Sequence, residues 1–316
     1  MKWGSAVKLF SKFTMEYRKK KDKLVMGAKV QSQTTKQKDA KEPKNEYRRD
    51  VEKYFRPSCL SILNNRVMDF QFFDSYDEKS HDEIVLPASL MSSPEKTIIH
   101  YFSILREAEN LTKNQMGGCG TVGMSKIPYP VAYNFLTKEY QKKVSYPSYL
   151  HSFRGIGHTN LIKLNKLPVK GDSQTIQFFI ELETIEGSSK NLTYFAYYYG
   201  YVSIKKEKNM YKIEDINLTG EDFLCAAYHL WQHDAEAVVD VEYGNWCKLV
   251  KKRLPTKKEG YFKNIDFVGT DGNEYRFVFI ELTNSTDLLF AQYKKTHEDK
   301  WEPIKIDPEK CLKDKK

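Results

Sequence analysis

A change in the spacing of apolar residues constrains this chain more than any other feature. Four segments in its middle, at 158–167, 174–185, 192–205 and 210–218, alternate apolar and polar residues with a period of two. This alternation is typical of half-buried antiparallel strands. Short turns containing Gly, Ser and Asn separate the segments, as hairpins require. The sequence therefore predicts a four-stranded antiparallel sheet.

Helical patterns precede this sheet. Ser93, Pro94 and Glu95 combine an N-cap, a proline in the first helical turn and an acid beside it, which predicts a helix start. We expect a second helix over 131–143, a short third helix after Pro147, and a short strand over 68–73. The predicted fold class is α+β, with helices packed on a curved antiparallel sheet. The predicted buried stripe of the first helix is Ile98, Tyr101, Phe102, Leu105 and Ala108.

Further patterns divide the chain into four parts. We predict a flexible basic tail over 1–56, a connecting segment over 57–90, and a cone-like domain over 91–232. A smaller domain over 233–316 is predicted to contain a helix at 235–250 and four short strands. The Asp271-Gly272 pair predicts a tight hairpin between two of these strands.

The order of these elements resembles a known superfamily. The resemblance rests on the Ser93-Pro94-Glu95 helix start, the Tyr101-Phe102 pair, and a last strand Met210-Tyr211-Lys212-Ile213-Glu214-Asp215-Ile216. The pattern is similar to the nuclear-transport-factor-2-like (cystatin-like) cone fold over 91–220, with a partial echo in 234–307. The resemblance implies a pocket but transfers no catalytic residue. Ligand-binding domains, isomerase- and dehydratase-type enzymes, and assembly domains of secretion and conjugation machines all share that fold.

The third strand of the sheet is unusually aromatic. Period-two alternation places Tyr194 and Tyr198 on one face, and we predict them as ligand-binding residues together with Phe102 and Arg154. His151 and His158 flank the helix-to-sheet junction, and either imidazole could carry a proton near neutral pH. A surface or hydrogen-bonded role for these histidines is favoured over catalysis.

The positive charge of the chain is concentrated near its N-terminus. Residues 1–56 contain 17 Lys and Arg against 7 Asp and Glu, whereas the rest of the chain has a balance of −1. This distribution argues against a nucleic-acid-binding folded domain. A basic amphipathic helix is predicted at the start, followed by a flexible linker over 28–48. The predicted attachment residues, for an anionic membrane surface or a protein partner, are Trp3, Phe10, Phe13, Arg18, Lys19, Lys20 and Lys21.

The five cysteines are widely spaced and odd in number. This arrangement argues against a disulfide framework and a zinc knuckle, and it favours a reducing compartment. No apolar run reaches the length of a membrane span. We therefore expect a cytoplasmic protein, peripheral to the membrane through its tail.

Two motifs suggest cofactors but lack the expected context. The run from Gly118 to Gly123 matches the dinucleotide fingerprint, yet no strand precedes it and Pro128 follows before any helix. His229 and His233 have the four-residue spacing of helical metal ligands, but packing with Trp231 across a joint between helices is favoured. We predict no cofactor.

The leading functional hypothesis is a non-enzymatic binding or assembly module, because no acid-base set is clustered in the sequence. A small apolar ligand in the cone is compatible with this hypothesis. An isomerase- or dehydratase-type enzyme that uses the cone pocket is the alternative, and a conjugation or secretion scaffold is the third. The sequence does not identify the ligand, and it leaves the oligomeric state open.

Overall fold

A computed structural model describes residues 23–31, 56, 60–64, 70–116, 124–168 and 175–313. Their backbone forms two compact units. Unit 1 contains the described residues up to Asp222 apart from Arg56, and unit 2 contains Arg56 and the residues from Phe223 onward. Both units combine helices with largely antiparallel sheets, so the predicted α+β class is confirmed.

The helices of unit 1 lie before its long strands. The first long helix begins as predicted, since the Ser93 Oγ accepts a hydrogen bond from the Lys96 backbone N–H at 3.2 Å. Every residue of its predicted stripe is buried. The helices are α1 (Phe70–Asp74), α2 (Pro94–Arg106), α3 (Pro128–Tyr133), α4 (Lys138–Lys143) and α5 (Tyr146–His151), with a 3₁₀ turn at Ala88–Met91.

Two local predictions in this region are wrong. The described part of the strand predicted at 68–73, residues 70–73, lies in the helix α1, and Phe72 contacts the ring of Tyr76 just after this helix. The single helix predicted over 131–143 is divided into α3 and α4. Between them Thr137 donates its backbone N–H to Ile213 at 2.8 Å, and its side chain then caps α4. Pairing with a strand therefore interrupts the helical pattern.

The predicted four-stranded sheet is confirmed. Its strands are β3 (Ile156–Lys166), β4 (Ile176–Gly187), β5 (Thr193–Glu207) and β6 (Met210–Glu221), each antiparallel to the next. One face is covered by α2 and its neighbours. The core on that face is rich in tyrosine, and the buried Tyr101 and Tyr149 hydroxyls hydrogen-bond to each other at 3.1 Å.

Two further strands, β1 (Lys23–Val25) and β2 (Ala28–Gln31), extend this sheet. β2 pairs with β6 in parallel, so the predicted flexible linker is wrong for 28–31. The Gly27 N–H donates to the Ser152 Oγ at 2.6 Å, and Gly27 packs against the Tyr149 ring with a φ of +73°. A side chain there would meet that ring, so the turn between β1 and β2 requires glycine at this position. The rest of the linker and the predicted attachment residues lie outside the described residues.

Unit 2 is built on a second sheet. Helix α6 (Ala235–Val238) continues into a π-helical segment, Val239–Trp246, and thus confirms the predicted helix for most of its length. The strands are β7 (Val250–Arg253), β8 (Lys257–Glu259), β9 (Phe262–Gly269), β10 (Glu274–Glu281), β11 (Asp287–Lys295) and β12 (Trp301–Ile304), and α7 (Pro308–Lys313) follows. Their order is β12-β11-β10-β9-β7, and β8 also pairs with β9.

The expectation that the chain lacks disulfides is wrong. Cys247, at the end of the π-helical segment, is bonded to Cys311 in α7. These residues are 64 positions apart in sequence, so their spacing does not predict the pair. Cys225 is a buried free thiol. The inference of a reducing compartment therefore loses its basis.

Candidate functional site

The hairpin between β4 and β5 forms one end of the unit 1 sheet, and the loop after α2 lies against it. Met116 in this loop bridges to Ser188, and the Gly187 N–H donates to the Gly155 carbonyl at 2.8 Å. A Cβ on Gly187 would lie 2.6 Å from the Gln115 carbonyl oxygen, so only glycine permits this close approach. We call this region the sheet end; it comprises residues 111–116, 154–160, 183–188 and 192–198.

A carboxylate with three hydroxyl donors lies at the sheet end. The Tyr198 hydroxyl donates to Glu186 Oε1 at 2.6 Å, and the Thr184 hydroxyl donates to the same oxygen at 2.9 Å. The Tyr194 hydroxyl donates to Oε2 at 3.0 Å. Register explains the cluster, because Glu186 pairs directly with Tyr194 and the other two residues lie on the same face of the sheet. The structure thus brings together the predicted residues Tyr194 and Tyr198.

The electrostatics of this cluster limit its chemistry. Burial, and then the negative charge of Glu186, raises the pKa of Tyr198 well above its ordinary value. The same two causes raise the pKa of Tyr194. Both phenols therefore keep their protons and act as donors near neutral pH. The cluster can orient a polar or cationic group, but its phenols are unsuited to act as bases.

Exposed apolar side chains lie beside the Glu186 cluster. Leu192 is 62% exposed, and Met116 and Tyr194 are each 48% exposed. Phe195 is 50% exposed but lies on the opposite face of the sheet, because it is one residue from Tyr194 along the strand. Exposed apolar side chains grouped at one place are typical of an interaction surface. The sequence pattern indicates an aromatic strand here, but it does not identify which end of that strand is uncovered.

A second carboxylate cluster occupies the opposite face of the same strands. Glu183 accepts hydrogen bonds from the Tyr197 hydroxyl and the Asn160 amide, each at 3.0 Å. Asn160 Oδ1 lies 3.0 Å from His158 Nε2. Because the Asn160 amide nitrogen is committed to Glu183, its oxygen must accept from His158. The imidazole therefore carries its proton on Nε2, and its basic lone pair is on Nδ1.

His158 is the predicted histidine with the clearer chemical setting. Burial, and then the positive charge of Arg106, lowers its pKa below 6.5. It is therefore neutral at physiological pH and could accept a proton. His151, by contrast, is exposed at the end of α5.

The remaining predicted ligand residues are separated. Phe102 is only 2% exposed and lies in the core, where its ring contacts Tyr101 edge-on. Tyr198 packs against the edge of that same core. Arg154 is exposed in the turn before β3. A ligand at Phe102 would therefore have to displace core side chains.

The predicted His229 and His233 pair is adjacent in space, with ring centroids 4.7 Å apart. His229 follows one short 3₁₀ turn and His233 ends the next one, so the pair lies at a joint between helical turns, as predicted. His229 Nε2 donates to the Leu224 carbonyl at 3.0 Å. Among the described residues, no set of three ligating side chains surrounds a metal position.

One polar cleft was not predicted from the sequence. It has a volume of about 370 Å³ and lies where α4 approaches β5 and β6. Glu214 in its wall accepts from Thr175 at 2.9 Å and lies 3.6 Å from the Lys205 ammonium. Its lining residues are distant in sequence and follow no motif. They are Tyr140, Lys143, Val144, Ser203, Glu214 and Asp215.

The glycine-rich run at 118–123 and its Cys119 lie outside the described residues. In the part of the chain that the structure describes, no helix has the length and apolar character needed to cross a bilayer. No family model, curated protein or solved structure matches this chain. The function is therefore argued from the geometry of the site.

Proposed function

We propose that this chain is a non-enzymatic binding or assembly module. In this proposal unit 1 is a cone of the nuclear-transport-factor-2-like type, and the sheet end is its contact surface for a protein partner. The basic tail attaches the module to an anionic membrane surface. The observation that carries the proposal is the exposed apolar rim around the Glu186 cluster.

The partner segment that suits this surface is both apolar and basic. Apolar side chains of the partner would cover Leu192 and Met116, and a Lys or Arg would approach Glu186. A carboxylate already fixed by Tyr198 and Tyr194 loses little side-chain entropy on binding such a cation. Exposed aromatic residues next to a fixed charge are frequent contributors to binding energy.

The packing of the helix-covered face of the sheet favours binding over catalysis. The side chains between α2 and the sheet, including Ile98, Leu182 and Val202, are fully buried. His158 and the Glu186 cluster lie on opposite faces of the sheet, so they cannot act on one substrate atom.

The test begins with a photo-crosslinking residue at Leu192 in the full chain. Leu192 crosslinking is compared with the same residue at Lys142, which is exposed on α4. A protein captured only at Leu192 is identified, purified and titrated against the full chain. We expect Leu192→Ser/Tyr194→Ala to weaken binding at least about tenfold, which corresponds to about 1.4 kcal/mol. Equal capture at both positions, or equal affinity of the variant, would refute the proposal.

The His158 arrangement favours a second candidate function, an isomerase- or dehydratase-type enzyme with His158 Nδ1 as the base. An activity found with small hydroxy or keto substrates should then be lost in His158→Gln. It should also shift its pH profile in Asn160→Asp, because a carboxylate beside the ring raises the pKa of an imidazole. An activity that survives His158→Gln would exclude this residue as the base.

A further inference from the structure

The basic side chains around β7 differ in whether their charge is neutralised. Arg253 forms ion pairs with Glu236 at 2.5 Å and with Asp240 at 3.2 Å. Lys258 lies 2.5 Å from Glu281. Lys248, Lys251 and Lys252 are exposed, and among the described residues no carboxylate lies within 4.0 Å of their ammonium groups. We call these three lysines the β7 lysines.

The disulfide tethers a helix that carries two further lysines beside the β7 lysines. It holds the Cys247 and Cys311 Cα atoms 4.9 Å apart, and Lys248 follows Cys247 directly. Lys310 and Lys313 flank Cys311 on α7, and both are exposed. Leu312, between them, is 41% exposed. Glu309 on the same helix offsets part of this charge but not the charge of the β7 lysines.

Protection of a sheet edge accounts for only part of this arrangement. β7 is an edge strand, and lysines on edge strands commonly prevent pairing with other chains. However, the register shifts between Val250 and Lys252, so Lys251 is the extra residue of a bulge. Bulges already protect an edge. Lys248 lies before the strand and contributes nothing to protecting it.

We propose that the β7 lysines, with Lys310 and Lys313, contact the headgroups of an anionic phospholipid surface. This inference deepens the membrane attachment proposed for the tail, since it supplies a second contact on a folded unit. A single weak membrane contact binds only reversibly, and stable attachment commonly takes two such contacts. Lysines near an anionic leaflet attract it independently of any specific headgroup geometry.

The composition of the surface favours lipid over nucleic acid. All five of its cations are lysines, whereas phosphate recognition by shape commonly uses the planar fork of arginine. The exposed neighbour Leu312 can enter the interface between headgroups and chains. No aromatic residue occurs at 248–254 or 308–313, where a base would have to stack.

The experiment measures binding of the full chain to phosphatidylcholine vesicles with and without about one third phosphatidylserine. The variant is Lys248→Glu/Lys251→Glu/Lys252→Glu. The matched control, Lys138→Glu/Lys142→Glu/Lys143→Glu, makes the same charge change on exposed residues of α4. At about 1 kcal/mol for each lysine, we expect the variant to bind anionic vesicles about a hundredfold more weakly and the control to change little. The neutral variant Lys248→Gln/Lys251→Gln/Lys252→Gln repeats the test if the glutamates impair folding.

Three outcomes would overturn the inference. The first is an equal loss of vesicle affinity in the variant and the control. The second is a variant that binds vesicles as well as the unaltered chain. The third is a nucleic acid duplex that binds more tightly than vesicles and loses this affinity when the lysines are replaced. Deletion of residues 1–22 separates this inference from the proposed function. If deletion abolishes vesicle binding and the lysine variant does not, the tail proposal stands and the β7 surface is excluded.

Discussion

The two units differ in how their cores are held together. Among the described residues, the unit 1 core contains 33 buried apolar or aromatic residues, whereas the unit 2 core contains nine. Unit 2 has a disulfide and several ion pairs around its sheet, including the two-point contact of Arg276 with Asp266 at 2.6 and 2.8 Å. A small core rarely supplies enough apolar burial to stabilise a fold alone. Unit 2 therefore depends on covalent and charged contacts, whereas unit 1 depends on apolar packing.

Unit 1 also contains a fully buried ion pair, which tests whether its stability depends on packing alone. Lys163 and Glu181 form an ion pair at 3.1 Å, and their side chains are 2% and 0% exposed. Lys163→Met leaves the Glu181 charge buried without this partner, so we expect a loss of about 3–5 kcal/mol in the free energy of unfolding. The double variant Lys163→Met/Glu181→Leu should recover most of that loss, because packing can replace the pair. Denaturant unfolding measures both values.

Lys205→Met is the control for this ion-pair test. Lys205 lies 3.6 Å from Glu214, and both side chains are partly exposed. Its loss should cost less than about 1 kcal/mol. If the double variant is as unstable as the single one, unit 1 needs its buried charges and the contrast with unit 2 fails.

Reduction of the disulfide tests whether the stability of unit 2 depends on this covalent contact. Closing a loop of 64 residues should stabilise unit 2 by about 4 kcal/mol in the chain-entropy model. Calorimetry with and without reductant should therefore show a lower melting temperature for unit 2 and no change for unit 1. The same result is expected for Cys247→Ser/Cys311→Ser, on which reductant should have no further effect. A shift confined to unit 1 would contradict the prediction.

The parts of the fold that sequence predicts are those in which local signals agree with tertiary contacts. The Ser93 cap and the period-two strands are examples, because these local signals belong to elements whose apolar faces form the core. Local sequence does not predict the split between α3 and α4, because the partner of Thr137 is Ile213, which is distant in sequence. It does not predict the disulfide or β2 for the same reason.

The candidate site was predictable to a similar extent. The aromatic alternation places Tyr194 and Tyr198 on one face, but their shared acceptor, Glu186, depends on the register of the β4–β5 hairpin. His158 was a candidate because of its pKa range, whereas Asn160 and Glu183, which fix its tautomer, were not. The sequence shows the β7 lysines only within a region of near-zero net charge. It does not show which basic residues are neutralised, because the acids that pair with the neighbours of the β7 lysines come from other elements.

The stabilities of the two units should also change with pH in opposite directions, by a smaller amount. Burial, and then the charge of Glu309, raises the pKa of Glu242 in unit 2 to about 7. The folded state then holds this proton where the unfolded state has lost it, so stability falls as the pH rises from about 4.5 to 7. In unit 1 the lowered pKa of His158 gives stability the opposite dependence on pH. Its unfolded state binds a proton first, so stability falls as the pH drops below about 6.5.

Melting temperatures of the two units between pH 4.5 and 8 measure these slopes. Glu242→Gln should flatten the slope of unit 2, by about 1–2 kcal/mol over the range once solvent screening is allowed for, and should leave unit 1 unchanged. His158→Gln should flatten the acid side of unit 1 alone. Because each variant removes one titrating group from one unit, a change in both slopes would mean that the units do not unfold independently. Parallel slopes in the unaltered chain would mean that neither group governs the pH dependence of its unit.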